Sequence, residues 1–422
     1  MHTKMFPKQC NPHLFKICLV LSAGSVLLFF QSTSIYQYRN IALKSSRIHN
    51  EKCEVRNNIA FLKTHKTGGT TLARIIEKHA FDNNLNVVRK IGEGGSIHFG
   101  NVNFNFESKK KFLPPMGIES GNYDAYKYNV FTLHARYNRP VFDAFMEPNT
   151  LYITLLRDPV TQFESSFDFF HVGSNLEKSS GVVLNKTQKL QLFFEDPIGN
   201  WKNLSSTKRK YSYNNQIWDL GINPANIDKD DFLINRTINE VDDRLDFVLI
   251  NEFYDESLLI LKKMLCWQFN DILYLPRNQR GSRADLDTKL TEKIAKWNYV
   301  DTKLYRHFLK NLHINIDNYG PTFEDDLAAF KRMTSFLYET CVSHTSIGKK
   351  RITYQKGSVN YTNDICQRSK GTLSDCDFSN GYVLTLDLGS VCVDVTSDPS
   401  SLNRHIRNMM KGVAMTMRPL HK

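Results

Sequence analysis

Residues 59–71 read Ile59-Ala-Phe-Leu-Lys-Thr-His-Lys-Thr-Gly-Gly-Thr-Thr71: a short apolar run, a polar turn around a glycine pair, and the start of a helical pattern. The apolar run predicts a strand. Gly68 and Gly69 allow the backbone to approach an anion closely, and Thr70 and Thr71 are suited to cap a helix whose first N–H groups and dipole favour negative charge. Leu72, Ile75, Ile76 and Ala80 follow at helical spacing and predict a face packed on a sheet. Lys66 stands at the mouth of this turn, where an ammonium neutralises a phosphate or a leaving group. A Walker A loop places its lysine after the second glycine; here the lysine comes first, which disfavours a standard ATP or GTP site.

A second element has the same form. In Thr150 to His171 an apolar run ends at Arg157, Asp158 is the expected N-cap, Pro159 occupies the first helical position, and Val160, Phe163, Phe167 and Phe170 form one stripe. Ser165 lies off that stripe. An arginine at a strand end and a serine on the following helix can converge on one phosphate, the guanidinium as a charged fork and the hydroxyl as a further donor. The plainer reading is a core strand–helix unit in which Arg157 pairs with Asp158.

Asn86–Ile91, Tyr128–His134 and Asp246–Glu252 complete the expected strands, beside Ile59–Thr64 and Thr150–Leu156. Repeated strand–helix units predict an α/β fold with a parallel sheet and right-handed crossovers, and ligands in such folds bind beyond the carboxyl ends of the strands. Those ends carry His65, Lys66, His134, Arg136, Arg157 and Glu252. Glu252 reads equally well as a residue that orients a substrate or base and as a capping group. Helices are expected over Asp255–Trp267 and Leu290–Leu312, the latter with Trp and Tyr residues read as core packing. Gly173–Tyr213 reads as a polar insertion with some helix, and Phe104–Asn122 as a loop near the acceptor.

These motifs together resemble the sulfotransferases that use 3′-phosphoadenosine 5′-phosphosulfate (PAPS). Phe-Leu-Lys-Thr-His-Lys-Thr (61–67), Leu-Arg-Asp-Pro-Val-Thr-Gln-Phe-Glu-Ser-Ser-Phe (156–167), Asn-Glu-Phe-Tyr-Asp-Glu-Ser-Leu (251–258) and the later Leu-Cys-Trp are most similar to the galactose-3-O-sulfotransferases, over roughly residues 55–345. The resemblance implies a P-loop-like three-layer αβα sulfotransferase fold with a central parallel sheet, preceded by one transmembrane helix. It implies PAPS as donor, with Lys66, Thr67, Gly68, Gly69, Thr70 and Thr71 on its 5′ side, Arg157 and Ser165 on the 3′-phosphate, and no metal. Arg280, within Pro276–Arg283, resembles a basic loop that closes over the donor; a solvated turn is the equal alternative. His134 ends an apolar strand on the donor edge and leads as general base, with His65 as the alternative. The acceptor implied is a galactose on a glycolipid, galactosylceramide-like, or on a glycoprotein, and the sequence leaves that choice open.

The chain has 422 residues, 41% of them hydrophobic, enough for a substantial core. Its formal charge of +12 favours anionic partners without choosing among them, and no nucleic-acid partner is expected. No charged side chain occurs between Lys16 and Arg39, an interval able to cross a bilayer. The expected organisation is a cytoplasmic tail (1–16), a signal anchor (17–35), a stem (36–57), a luminal sulfotransferase domain (58–345) and a C-terminal extension (346–422); a cleaved signal peptide is the competitor to the anchor. Four sequons, at Asn185, Asn203, Asn235 and Asn360, and six cysteines all follow that interval. They point to an oxidising lumen, and with the resemblance to a type II Golgi membrane protein. Cys266 with Cys341 is the expected disulfide. Nothing in the sequence sets the oligomeric state.

Two other functions compete. Asp228-Lys-Asp230, Asp285-Leu-Asp287 and Asp375-Cys-Asp377 match the Asp-x-Asp pattern of a metal-dependent glycosyltransferase, although none follows a convincing strand. A non-catalytic glycan- or nucleotide-binding homologue is the other, against which stands retention of Lys66, Arg157, Ser165 and both histidines.

Overall fold

Ile59–Leu62 (β1) is buried at every position, as expected of a strand covered on both faces. It lies inside a four-stranded sheet of order β2-β1-β3-β4, where β2 is Val130–Phe131, β3 Leu151–Leu156 and β4 Phe247–Ile250. All the pairings are parallel, with Ile59 opposite both Val130 and Leu151, and Ile153 opposite Phe247. The computed structural model describes residues 53–89, 110–115, 126–176, 181–275, 284–345 and 382–384. Residues 17–35, most of the Phe104–Asn122 loop, Arg280 and most of 346–422 lie outside that set. Among the described residues no helix is long and apolar enough to cross a membrane.

The crossovers carry the helices. Gly69–Asp82 (α1) follows β1, Arg139–Phe145 (α2) follows β2, and Pro159–Phe169 (α3) follows β3. The long passage to β4 contains Lys186–Phe193 (α4), Pro197–Lys202 (α5), Ser206–Tyr211 (α6), Asn215–Asp219 (α7) and Asp231–Asp242 (α8). After β4 come Tyr254–Leu265 (α9), Phe269–Ile272 (α10), Thr288–Trp297 (α11), Tyr299–Asp317 (α12) and Phe323–Cys341 (α13). Val342–Thr345 (β5) then pairs antiparallel with Tyr382–Leu384 (β6).

Local chemistry explains the α3 boundary as read: Asp158 accepts a hydrogen bond from the Thr161 N–H at 3.0 Å, and Pro159 needs no N–H partner. Other expectations need correction. Thr70 and Thr71 do not cap α1; Gly68 occupies the cap with φ of 87°, so the turn is completed by backbone geometry open to glycine and both threonines fall inside the helix. Asn86–Ile91 is not a strand as far as it is described: Val87 makes an isolated bridge to Val130, and Val88 N–H donates to the Val130 carbonyl at 2.9 Å. The expected helix 290–312 breaks at Asn298, whose side-chain oxygen accepts the Asn214 N–H at 2.9 Å while its NH2 bonds the Ile294 carbonyl. A tertiary contact there overrides a continuous periodic pattern.

Trp297 packs, half-buried, on a secondary core as read, whereas Tyr299 in the same stretch is exposed, against the reading of its aromatics as core. The Trp297 ring packs edge-on against Phe193, Phe194 and Tyr213, and its N–H donates to the Ser212 carbonyl at 2.7 Å. This secondary core, with Phe163, Phe167, Leu190 and Ile294, fastens the α4–α6 passage to α3 and α11. The expected Cys266–Cys341 pair is excluded, since Cys266 is bonded to Cys53 with Cα atoms 5.6 Å apart, and a sulfur forms one disulfide. The Arg56 N–H donates to the Leu265 carbonyl at 3.0 Å and so brings the segment before β1 to the end of α9, within reach of that bond.

Candidate functional site

The carboxyl ends of β1, β2 and β3 open onto one edge, and the turn after β1 is its centre. Lys66 has φ of 63° and Gly68 of 87°, so the chain coils sharply between strand and helix. The turn is pinned from below: Thr64 Oγ1 donates to the Leu155 carbonyl at 2.6 Å and lies 2.8 Å from Thr67 Oγ1, while Asn251 Nδ2 donates to the Thr67 carbonyl at 2.9 Å. A Cβ on Gly68 would lie 2.5 Å from that same Asn251 nitrogen, and its φ is one that L side chains rarely adopt. The position therefore requires glycine on two grounds. It is exposed, and its peptide leads into the N-terminus of the fourteen-residue α1.

Arg157 closes one side. Its Nη1 donates to the Lys66 carbonyl at 3.2 Å and its Nε to Thr161 Oγ1 at 3.0 Å, so the guanidinium lies against the turn. Gln216 holds the Arg157 backbone at both ends, accepting its N–H at 2.9 Å and donating to its carbonyl at 2.8 Å. Ser165 is 3% exposed, two turns into α3. Glu252 acts as a cap: it accepts the Asp158 N–H at 3.1 Å and the Tyr305 hydroxyl at 3.1 Å. The Lys66 ammonium stands over the exposed Phe169 ring, 3.6 Å from its centroid.

Both histidines are brought together. The rings of His65 and His134 stack with centroids 4.1 Å apart and planes 18° from parallel. His134 Nδ1 lies 2.9 Å from the Lys63 carbonyl; a carbonyl only accepts, so Nδ1 carries the hydrogen and Nε2 is the basic nitrogen. His65 is the more buried ring, 8% exposed, and one oxygen of Asp219 lies 2.8 Å from both its backbone nitrogen and its Nδ1. Tyr211 packs against His65 with centroids 4.6 Å apart and planes tilted by 53°, and itself stacks on Phe170 at 3.9 Å. The expected strand Tyr128–His134 is paired as a strand only over Val130–Phe131, and just past it, two residues before His134, Thr132 donates to Glu77 at 2.5 Å. Burial raises the Glu77 carboxyl, but Arg89, Arg74 and this hydroxyl outweigh it and hold the group below its ordinary range.

Asp219 ends α7, and both ends of that short helix are held. At the N-terminus the Asp301 carboxylate accepts the Gln216 and Ile217 N–H groups, each at 2.9 Å. Burial pushes Asp301 up to about 7, opposed by those two N–H groups and reinforced by Asp219. At the C-terminus Arg136 donates to the Trp218 carbonyl at 3.4 Å and the Gly221 carbonyl at 2.8 Å, with its guanidinium 4.2 Å from the Trp218 ring. Burial lowers Arg136 and Asp219 opposes it; burial and then Arg136 lower Lys210; burial and then Asp219 push Tyr211 up to about 12.

Sequence reading missed Asp219, Gln216, Tyr211 and Asn251. The first three lie in or just after the stretch read as an insertion, Asn251 one residue past β4, and only the polar run Asn214-Asn215-Gln216 inside an otherwise helical region signalled an unusual environment. Of the Asp-x-Asp pairs, Asp230 caps α8, Asp287 caps α11 and Asp228 accepts the Tyr213 hydroxyl; Asp375 and Asp377 lie outside the described residues.

A left-handed glycine turn at a helix N-terminus, a guanidinium against it and a stacked histidine pair meet on one parallel-sheet edge. The chain belongs to the galactose-3-O-sulfotransferase family, whose family model matches residues 3–359. It is 29% identical over 297 residues to the galactosylceramide sulfotransferase of Bos taurus, covering 69% of this chain and 65% of the relative. It is 30% identical to the galactose-3-O-sulfotransferase 2 of Mus musculus over 60% of each chain. With the Homo sapiens protein of the latter name it shares 28% identity, over 74% of this chain and 79% of the relative. The chain thus spans somewhat less than two thirds of the length of the first two relatives, 65% and 60%.

Proposed function

We propose that this protein moves a sulfuryl group from PAPS to the 3-hydroxyl of a galactose residue. The observation that carries the reading is the turn Lys66–Gly69 at the head of α1, with the Arg157 guanidinium 3.2 Å from the Lys66 carbonyl and the stacked histidines beside it. A backbone cradle that tolerates no Cβ at Gly68, next to a helix N-terminus, suits the 5′-phosphosulfate. Lys66 and the peptides of Thr67 to Thr71 serve that end of the donor, Arg157 and Ser165 the 3′-phosphate, and Arg280 a closing loop. The fold in this reading is the P-loop-like three-layer αβα sulfotransferase fold.

His134 is the proton acceptor of choice because it is the less buried ring and its Nδ1–H is engaged by a carbonyl, which leaves Nε2 as the base. The galactose 3-hydroxyl gives its proton to Nε2, and its oxygen pair forms the new O–S bond. The bond from sulfur to the bridging oxygen breaks, and that electron pair stays on the departing 3′-phosphoadenosine 5′-phosphate. Lys66 stabilises the charge that develops there. The reaction needs no metal in this scheme, since lysine and loop dipoles supply the positive potential.

The acceptor is a glycolipid such as galactosylceramide or a glycoprotein glycan, and the setting is the Golgi lumen, with residues 17–35 as a type II anchor, 1–16 cytoplasmic and 36–57 a stem. The test is incubation of the full chain in detergent with sulfur-labelled PAPS and a panel of galactosides, followed by mapping of the sulfated position. Label at the galactose 3-position is expected. Manganese-dependent transfer from a nucleotide sugar, or donor binding without any transfer, overturns the reading in favour of a glycosyltransferase or a non-catalytic homologue.

A further inference from the structure

Resting on that reading, we infer that Asp219 is a positioning residue for the reaction, acting on the proton acceptor through His65. A single carboxylate oxygen receives both the backbone N–H that opens the donor turn and, across 2.8 Å, the Nδ1 of the His65 ring. A carboxylate only accepts, so His65 carries its hydrogen on Nδ1. The ring so fixed is the surface on which His134 lies, 4.1 Å away and nearly parallel. Tyr211 packs on His65 as well, at 4.6 Å, so the ring can neither flip nor tilt without disturbing two neighbours.

The carboxylate is itself built in. Asp219 is 9% exposed, and the five-residue helix that carries it is held at its start by Asp301 and just past its end by Arg136. Gln216 of the same helix grips Arg157 by its backbone N–H and carbonyl. One short element therefore sets the register of the donor turn, the arginine beside it and the histidine pair. A negative charge bonded to the ring that stacks on His134 also favours, through space, the imidazolium that forms as the proton arrives.

Asp219→Asn and Asp219→Ala separate geometry from charge. The asparagine oxygen can still accept both N–H groups, so D219N keeps the tie and removes the charge, whereas D219A removes both. In the full chain, D219N is expected to lower kcat by about tenfold to a hundredfold, below the ~10²–10⁴ range for loss of the base itself. Its KM for PAPS and its affinity for 3′-phosphoadenosine 5′-phosphate should be unchanged. D219A is expected to lose turnover further and to weaken nucleotide binding through the released turn. Wild-type kcat in D219N overturns the charge role; a D219N loss confined to KM makes Asp219 a donor-turn support only. Imidazole ¹⁵N shifts keep the two readings apart: if the wild-type chain transfers no sulfuryl group, the functional reading falls. The hold on His65 then stands if its Nδ1-protonated signature disappears in D219A, and falls if that signature persists.

Discussion

The two walls of the site are made in opposite ways. The wall proposed for the donor is one continuous stretch, β1, turn and α1, whose course is local although Leu155, Arg157 and Asn251 pin its turn. The histidine wall is assembled from distant parts: His134 lies three residues past β2, while Tyr211 ends α6 and Asp219 ends α7, more than 140 residues beyond His65. The local wall depends on backbone geometry and tolerates few side-chain changes at Gly68. The assembled wall depends on side-chain bonds, so conservative substitutions can dissect it.

The largest effect that sharpens this contrast is expected from His134→Ala, which should lower turnover by about 10²- to 10⁴-fold with donor affinity nearly intact. Near-normal turnover there, together with loss in His65→Ala, moves the base to His65; activity in both removes histidine from the mechanism. On the donor wall, Lys66→Ala should reduce both turnover and nucleotide affinity. Arg157→Ala should weaken 3′-phosphoadenosine 5′-phosphate binding by about 1.5–3 kcal/mol, the scale of a hydrogen bond to a charged group, with Ser165→Ala smaller in the same direction. Calorimetry that finds Arg157→Ala unchanged takes that residue out of the site.

Removing the Cys53–Cys266 bond by Cys53→Ser should cost about 2–5 kcal/mol of stability, read as a lowered melting midpoint under non-reducing conditions. A midpoint equal to wild type would mean the neighbouring hydrogen bonds suffice. The smallest effect concerns Asp301, raised to about 7 in the folded chain. Its folded value lies above its unfolded one, so its contribution is full below about pH 4 and is lost as pH rises towards 7. Asp301→Asn should flatten the fall of melting temperature across that window. An identical slope in the variant excludes Asp301 as its source.

Legibility in the sequence followed the same division. The strand–turn–helix at 59–82 and the Asp158–Pro159 start of α3 were readable because propensity, capping and burial agree there. The cap of α1 was misread because a threonine at the cap is the commoner solution, and only the left-handed Gly68 reveals the alternative. Asp219 was invisible for a different reason: a carboxylate that reaches across 154 positions to its histidine leaves no periodic trace. The misassigned disulfide belongs to the same class, since the bonded cysteines are 213 positions apart and spacing does not identify partners.

That disulfide also decides how the protein bears load. The Cys53 sulfur, the Arg56 N–H to the Leu265 carbonyl at 3.0 Å, and the Trp267 indole N–H to the Arg56 carbonyl at 3.3 Å lace the entering chain to the end of α9. Tension applied upstream of residue 53 is divided between α9 and β1 before it reaches the turn at Lys66. The covalent branch grounds a pull on that segment in α9 as well as in β1, so the turn after β1 is not the first part of the chain to carry it.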